Sequence, residues 1–226
     1  MRKTAMTVLI TLMMVLPIAS MGATIVHTDS SAGLTDHFAT LAVPQFDGMY
    51  PLISITIEAT GWLDGFMGYE NTNLTASGGF NLVSNDFDGE LHLGGVLDPD
   101  NNQIVGGDLL FEYHDAGDPS GAVFVGAFDG IIDYAGTSGA TLPYGTSNPF
   151  SMTLVPGDPL VENFYGDGNV EFSGMGLIWT SITIYGADND WVLSTSAGWD
   201  ITVTYEFDTA VATEASTFGG VKALYR

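Results

Sequence analysis

The segment from Trp191 to Phe207 alternates between apolar and polar side chains with a period of two residues. Its odd positions are mostly apolar, and its even positions are mostly Ser, Thr, Gly, Asp and Glu. This period places the apolar side chains on one face of a β-strand. One buried face and one solvated face are typical of an antiparallel sheet. The segment therefore predicts one long strand, or two strands that meet at a bend near Gly198.

The rest of the chain repeats this pattern in shorter pieces, and none of it after the first 23 residues shows helical periodicity. The 29 glycines and nine prolines separate the apolar runs, as short strands with tight turns require. About 200 residues suit one domain. We predict an all-β protein, an antiparallel β-sandwich of jelly-roll-like form, as a single domain over 24–211. Its other strands are predicted over 38–43, 52–60, 66–71, 80–84, 90–93, 108–113, 122–128, 151–155, 169–172 and 177–185, with the Gly-rich stretch 135–145 as a loop.

The first 23 residues have the pattern of a secretory signal peptide. Arg2 and Lys3 precede an apolar run from Ala5 to Leu16, and small residues follow up to Ala23. A membrane-spanning helix needs about 20 apolar residues, which is more than this run supplies. We therefore interpret 1–23 as a cleaved signal rather than a retained anchor. We expect an exported protein, extracellular or at the cell surface, with no transmembrane anchor in the mature chain.

Basic residues are almost absent from the chain. It has 27 acidic residues against Arg2, Lys3, Lys222 and Arg226, and its formal net charge is −23. Nucleic acid is excluded as a partner, because phosphate contacts need Lys or Arg. The chain also has no cysteine, no lysine in its body and no Gly-x-Ser-x-Gly sequence to provide a nucleophile. We predict that the protein is not an enzyme.

Three short motifs occur along the chain: Leu41, Pro44, Phe46 and Asp47; Phe164, Gly166 and Gly168; and Thr202, Val203 and Tyr205. In their order and spacing they resemble those of the choice-of-anchor E domain, an exported bacterial β-sandwich family. The resemblance covers most of residues 24–208 and implies a surface protein with a β-sandwich fold. Many members end in a PEP-CTERM segment, which has a Pro-Glu-Pro motif, an apolar helix and a basic cluster. This chain departs from the pattern, because no Pro-Glu-Pro precedes its end.

The C-terminal tail, 212–226, extends beyond the last predicted strand and ends in STFGGVKALYR. This ending looks like the short T-[W/F]-G-x-[I/V]-K-x-x-[Y/F]-R tails of some exported proteins. A receptor can bind such a tail through its two aromatic rings and pair its two cations with carboxylates. We interpret the tail as a sorting tag read by sorting machinery, and a basic end that folds back onto the acidic body is the alternative. The tag residues are Thr217, Phe218, Gly219, Lys222, Tyr225 and Arg226.

Calcium is the one cofactor that the sequence suggests. Asp98, Asp100 and Asn102 have the spacing of the first ligands of a calcium-binding loop. The segment lacks the glycine at position 6 and the glutamate at position 12 of the EF-hand, and it lies between strands. An Asp- and Asn-rich turn is therefore the alternative interpretation. Weaker candidates of the same kind are 85–89 and 188–190.

Exposed aromatic side chains would indicate glycan binding. Trp191 and Trp199 share the apolar parity of the last strand, so we expect both in the core. Trp179 and Tyr185 have the opposite parity to the isoleucines of their strand, and they are the predicted glycan-stacking residues; Trp62 is expected in a turn. Two functions stay open. One is a structural or adhesive role in the envelope or extracellular matrix, with glycans or matrix proteins as partners, and the other is a carbohydrate- or calcium-binding module.

Overall fold

The computed structural model describes residues 22–98, 100–101, 103–117, 121–186 and 188–209. These residues form strands and one short 3-10 helix, Pro159–Phe164. The strands are β1 (Gly22–Leu34), β2 (His37–Pro44), β3 (Leu52–Asn71), β4 (Gly78–Leu93), β5 (Val96–Asp98), β6 (Gln103–Val105), β7 (Asp108–Gly117), β8 (Gly121–Val125), β9 (Gly139–Leu154), β10 (Asn169–Tyr185) and β11 (Asn189–Asp208).

Nine of these strands form two sheets packed face to face, and β5 pairs with β6 in a separate two-stranded sheet. Sheet A has the order β1-β11-β3-β9, and sheet B has the order β2-β10-β4-β7, with β8 beside the first residues of β4. Every pairing between these strands is antiparallel. The first strand of each sheet lies beside a strand from the end of the chain, which is the order of a jelly roll. The predicted antiparallel, jelly-roll-like β-sandwich is confirmed.

The core lies between the two sheets and is built from their inward-facing side chains. Trp199 and Tyr205 of β11 are its largest fully buried residues along with Tyr69 of β3. The buried apolar residues form one main cluster and two smaller ones, which continue the core along the sandwich. The alternation that predicted β11 therefore reports the burial of one face of a strand.

Several strands that the sequence predicts as separate are continuous. Residues 85–89 lie inside β4, 139–145 belong to β9, and Trp62 lies within β3 rather than in a turn. The predicted breaks were wrong because some glycines in these strands face aromatic rings. A Cβ on Gly61 would lie 2.9 Å from the Trp199 ring, and a Cβ on Gly89 would come closer still to the Tyr113 ring. A missing side chain here makes room for a ring and does not end the strand.

Both ends of the chain carry predictions that fall outside the described residues. The signal peptide lies in 1–23, of which only Gly22 and Ala23 are described, as the first residues of β1. The sorting tag lies wholly within 210–226. Among the residues that the structure describes, no helix is long and apolar enough to cross a membrane.

Loops 72–77 and 126–138 meet the β10–β11 turn at one end of the sandwich, which we call the loop end. The Asn71 amide donates hydrogen bonds to the carbonyl oxygens of Ala76, at 2.7 Å, and Gly126, at 2.6 Å. The Asn73 amide donates to a carboxylate oxygen of Asp188 at 2.8 Å. The two asparagines therefore hold the three connections together.

Candidate functional site

The outward-facing side of sheet B combines apolar, acidic and imidazole side chains. The strand register fixes their order, because directly opposite residues of an antiparallel pair face the same side. We call this surface the outer face. Its rows across β10, β4 and β7 are Met175, Glu90 and Glu112, and Leu177, Asp88 and His114; Trp179 of β10 and Asp86 of β4 follow as the next pair.

An open depression of about 400 Å³ lies on the outer face. Met175, Leu177, Glu90 and Glu112 contribute to its lining. Met175 is buried although it points away from the core, and Phe38 of β2 is its direct neighbour across the sheet. The lining of the depression therefore combines apolar and acidic side chains.

Trp179 lies next to this depression and is 64% exposed. Strand β2 pairs with β10 only as far as Gly176, so the part of β10 that carries Trp179 has no β2 residue beside it. On its other side its direct partner is Asp86. Much of the tryptophan ring is therefore open to solvent rather than used for packing. The structure therefore places the first predicted glycan-stacking residue on the surface.

Tyr185 lies on the same face at the loop end and is 38% exposed. Its ring packs against Phe124, which is 69% exposed, with ring centroids 5.5 Å apart and planes inclined by 32°. Both residues are direct partners of Gly79, which lies between them. A Cβ on Gly79 would lie 2.9 Å from the Phe124 ring, so the glycine permits the contact. The sequence predicted Tyr185 and missed Phe124, whose position opposite a glycine becomes known only from the register.

Two histidines of the outer face lie within bonding distance of its carboxylates. The His114 ring bonds the Asp88 carboxylate, and this hydrogen bond, together with the carboxylate's charge, raises the pKa of His114. His92 Nε2 lies 3.1 Å from a carboxylate oxygen of Glu90. Glu112 is directly opposite Glu90, so the centre of the face keeps an excess of negative charge.

The two tryptophans of β11 have different environments. Trp199 is 1% exposed, as predicted, and its indole nitrogen donates to the Met175 carbonyl oxygen at 3.1 Å. Trp191 is 48% exposed, so its predicted place in the core was wrong. Strand β1 pairs with β11 only from Ser196 onward, which leaves Trp191 on a part of β11 flanked by β3 alone. Its position in the alternation predicts an inward-facing side chain, but β1 does not extend along the edge of β11 beside it.

Asp98 and Asp100 form the turn between β5 and β6. An oxygen of Asp98 accepts the Asp100 backbone N–H at 3.0 Å, and the other accepts from the Asn101 amide at 2.8 Å. The Asn101 bond, then the backbone bond, lowers the pKa of Asp98. Asn102, the third predicted calcium ligand, lies outside the described residues. Within the described ranges, no three His, Asp or Glu side chains converge to hold a metal ion.

No model of a known protein family matches the chain, and no curated protein matches it either. Solved structures of infectious bursal disease virus and of its VP2 particle match the chain at low similarity. A structure of the Gx strain has 10% identity and a TM-score of 0.25, and the match covers 84% of this chain and 38% of that one. A VP2 subviral particle has 9% identity, a TM-score of 0.24 and the same two coverages. The chain thus spans less than half the length of these proteins.

Proposed function

We propose that the protein is an exported, non-enzymatic β-sandwich with an adhesive role, and that it binds glycans on the outer face. The main support for the proposal is the exposed ring of Trp179 beside a depression lined in part by acidic side chains. A large aromatic ring offers an apolar surface on which the C–H face of a sugar can stack. The carboxylates of Asp88, Glu90 and Glu112 accept hydrogen bonds from sugar hydroxyls. Specificity in such sites comes from a few polar groups around an apolar surface.

The charge of the outer face restricts the class of glycan. No Lys or Arg occurs between Lys3 and Lys222, so nothing in the body of the chain pairs with a uronate or a sulfate except histidine. Anionic glycans would also meet the negative field of Glu90 and Glu112. The ligand class that fits is a neutral or amino-sugar oligosaccharide.

A second candidate function, glycoside hydrolysis, comes from the same two glutamates. Glycosidases use two carboxyl groups that flank the scissile bond, and Glu90 and Glu112 are directly opposite on one face. The general acid of such a pair usually lies in an apolar pocket that keeps it protonated. Glu112 is exposed and Glu90 is bonded to His92. We therefore favour binding, and recovery of an intact oligosaccharide after incubation would support this choice.

The location of the protein is a separate part of the proposal. It rests on the signal-like segment 1–23, on the resemblance to an exported family and on the cations of the tail, Lys222 and Arg226. The test is the intact mass of the protein from its native cell surface and culture medium. A mass that lacks the first 23 residues and ends before STFGGVKALYR would support a processed sorting tag. A mass that includes Arg226 would favour the alternative, a tail that folds onto the acidic body.

The binding proposal is tested by titrating neutral and amino-sugar oligosaccharides into the mature chain and into Trp179→Ala. We expect saturable binding to at least one glycan and about a tenfold loss of affinity in the variant, equivalent to about 1.4 kcal/mol. Trp191→Ala is the matched control, because Trp191 is also exposed but belongs to sheet A. Equal losses in the two variants would argue against the outer face as the binding surface. No glycan binding at all would leave a purely structural role.

A further inference from the structure

Glu70 is a fully buried carboxylate at the loop end. It lies one residue before the end of β3, on the side of sheet A that faces away from the core, and it is 0% exposed. One of its oxygens, Oε2, accepts the Tyr134 backbone N–H at 2.9 Å. The other, Oε1, is buried and has no hydrogen-bond partner. A buried polar atom without a partner costs free energy, and a buried charge without a partner costs far more.

Among the residues that the structure describes, there is no Lys or Arg to neutralise this carboxylate. All four Lys and Arg residues lie at or before Lys3 or at or after Lys222. In the part of the chain that the structure describes, the histidine–carboxylate pairs are His92–Glu90 and His114–Asp88, and both lie in sheet B. The described residues therefore supply no counter-charge for Glu70, and a cation from solution can take that place.

A second carboxylate occupies the position directly opposite Glu70. Asp190 of β11 is its partner in the register, so the two side chains are on the same face of sheet A. Like charges at directly opposite positions destabilise a sheet unless something lies between them. Both groups contact Tyr134, whose hydroxyl donates to an Asp190 oxygen at 3.3 Å. The pair and the tyrosine thus form one polar cluster.

Loop 126–138 closes over this cluster and is held there by Tyr134. The tyrosine has a left-handed backbone conformation, with φ of 56°, and its ring packs on Gly68. A Cβ on Gly68 would lie 2.9 Å from both the ring and the Val192 side chain. Thr141 donates a hydrogen bond to the Tyr134 carbonyl oxygen at 3.0 Å. These contacts fix the loop where it covers Glu70.

We propose that Glu70 and Asp190 bind a divalent cation of the calcium class beneath loop 126–138. Calcium takes oxygen ligands and accepts backbone carbonyls and water beside carboxylates. Within the described ranges, no third acidic side chain or histidine joins the two carboxylates. Calcium can complete its coordination at such a site with carbonyl and water oxygens. The ion supplies the missing partner of Glu70 Oε1 and separates two like charges. The site is distinct from the β5–β6 turn that the sequence suggested, and it does not depend on glycan binding.

The experiment compares thermal unfolding of the mature chain in chelator and in increasing calcium. A ligand that binds only the native state raises its stability with the logarithm of ligand concentration. At calcium about 100-fold above the dissociation constant, we expect the midpoint to rise by about 5 to 10 °C for a domain of this size. Magnesium at equal concentration should give a smaller rise, because it prefers strict octahedral geometry.

Two variants separate this site from diffuse binding to an acidic surface. Glu70→Gln should lose the saturable calcium effect. Asp100→Asn, which removes one exposed acid of the β5–β6 turn, should keep it. If both variants respond as the wild type does, the ion binds elsewhere and the proposal fails. If Glu70→Gln is as stable as the wild type in chelator and calcium stabilises neither protein, Glu70 is buried as a neutral acid and the proposal also fails.

A second measurement applies if Glu70→Gln does not fold. Terbium replaces calcium in oxygen sites, and an aromatic ring close to the ion sensitises its emission. We expect emission on excitation of the protein, with loss on adding calcium, and a reduced signal in Tyr134→Phe and in Asp190→Asn. Undiminished emission in both of these variants would place the ion away from loop 126–138 and overturn the proposal.

Discussion

The indole ring of Trp199 packs on Gly174, which lies across the sandwich in the opposite sheet. A Cβ at Gly174 would lie 2.7 Å from Cδ1 of the indole, closer than real contacts allow. The indole nitrogen donates to the carbonyl oxygen of Met175, the next residue, so ring and strand are held together. The largest side chain of the core therefore fits only because β10 carries a glycine at this position.

Gly174→Ala should destabilise the protein by overpacking this contact. We expect the free energy of unfolding to fall by about 1 to 3 kcal/mol, because neither backbone nor indole can move without losing the bond to Met175. Gly168→Ala, one residue before β10 begins, is the matched control. Its Cβ would meet only the end of the flexible Gln45 side chain, at 3.3 Å, and the loss should stay below about 1 kcal/mol. Urea denaturation of both variants measures the difference, and equal losses would contradict the packing argument.

Tyr205 should be among the last tyrosines to ionise as the pH rises. Burial raises the pKa of Tyr205 to about 12, and its hydroxyl donates to the Pro44 carbonyl oxygen at 2.9 Å. Because the folded state holds this proton more tightly, the contribution to stability is present below about pH 10 and is lost as the pH rises towards 12. An ultraviolet titration should show a late tyrosinate step that is smaller in Tyr205→Phe. An unchanged late step in the variant would refute the assignment.

The overall fold could be predicted from the sequence because burial of one strand face leaves a period-two pattern. The alternation of 191–207 and of 52–60 corresponds to β11 and to the first half of β3. The breaks between strands could not be predicted, because a glycine within a strand and a glycine in a turn look alike in sequence. Gly61 and Gly89 lie within their strands and face aromatic rings. Only the packing of the two sheets reveals these contacts.

The candidate site was predictable only where parity alone decides exposure. Trp179 has outward parity and is exposed, as the sequence indicated. Trp191 has inward parity but is exposed, because β1 stops before it reaches this part of β11. Phe124 and the pair Glu90 and Glu112 depend on which strands are neighbours in sheet B, and no local pattern encodes that order. The burial of Glu70 could not be predicted either, because it depends on the loop that covers this residue.

His114 and His37 should titrate on opposite sides of the ordinary histidine pKa of about 6.5. The hydrogen bond and the charge of Asp88 raise the pKa of His114, whereas burial lowers the pKa of His37. The His114–Asp88 contact therefore stabilises the fold fully below about pH 6.5, and this contribution is lost as the pH rises through the raised pKa. Two-dimensional NMR titration of the ring protons checks both values. Asp88→Asn should lower the pKa of His114 and leave that of His37 unchanged, and a shift of both would contradict the local cause.

Phe124→Ala should weaken the binding of long oligosaccharides and spare short ones. Trp179 and Tyr185 are six residues apart on β10, a distance of roughly 20 Å along a strand, so only an extended glycan reaches from Trp179 to the Phe124–Tyr185 pair. We expect a several-fold loss of affinity for the longest ligands in this variant, whereas Trp179→Ala should weaken short and long ligands alike. Leu74→Ala removes another exposed apolar side chain at the loop end and serves as the control. Calorimetric titration over a series of chain lengths makes the comparison. A loss that does not depend on chain length would show that the aromatic pair does not extend the binding surface of Trp179.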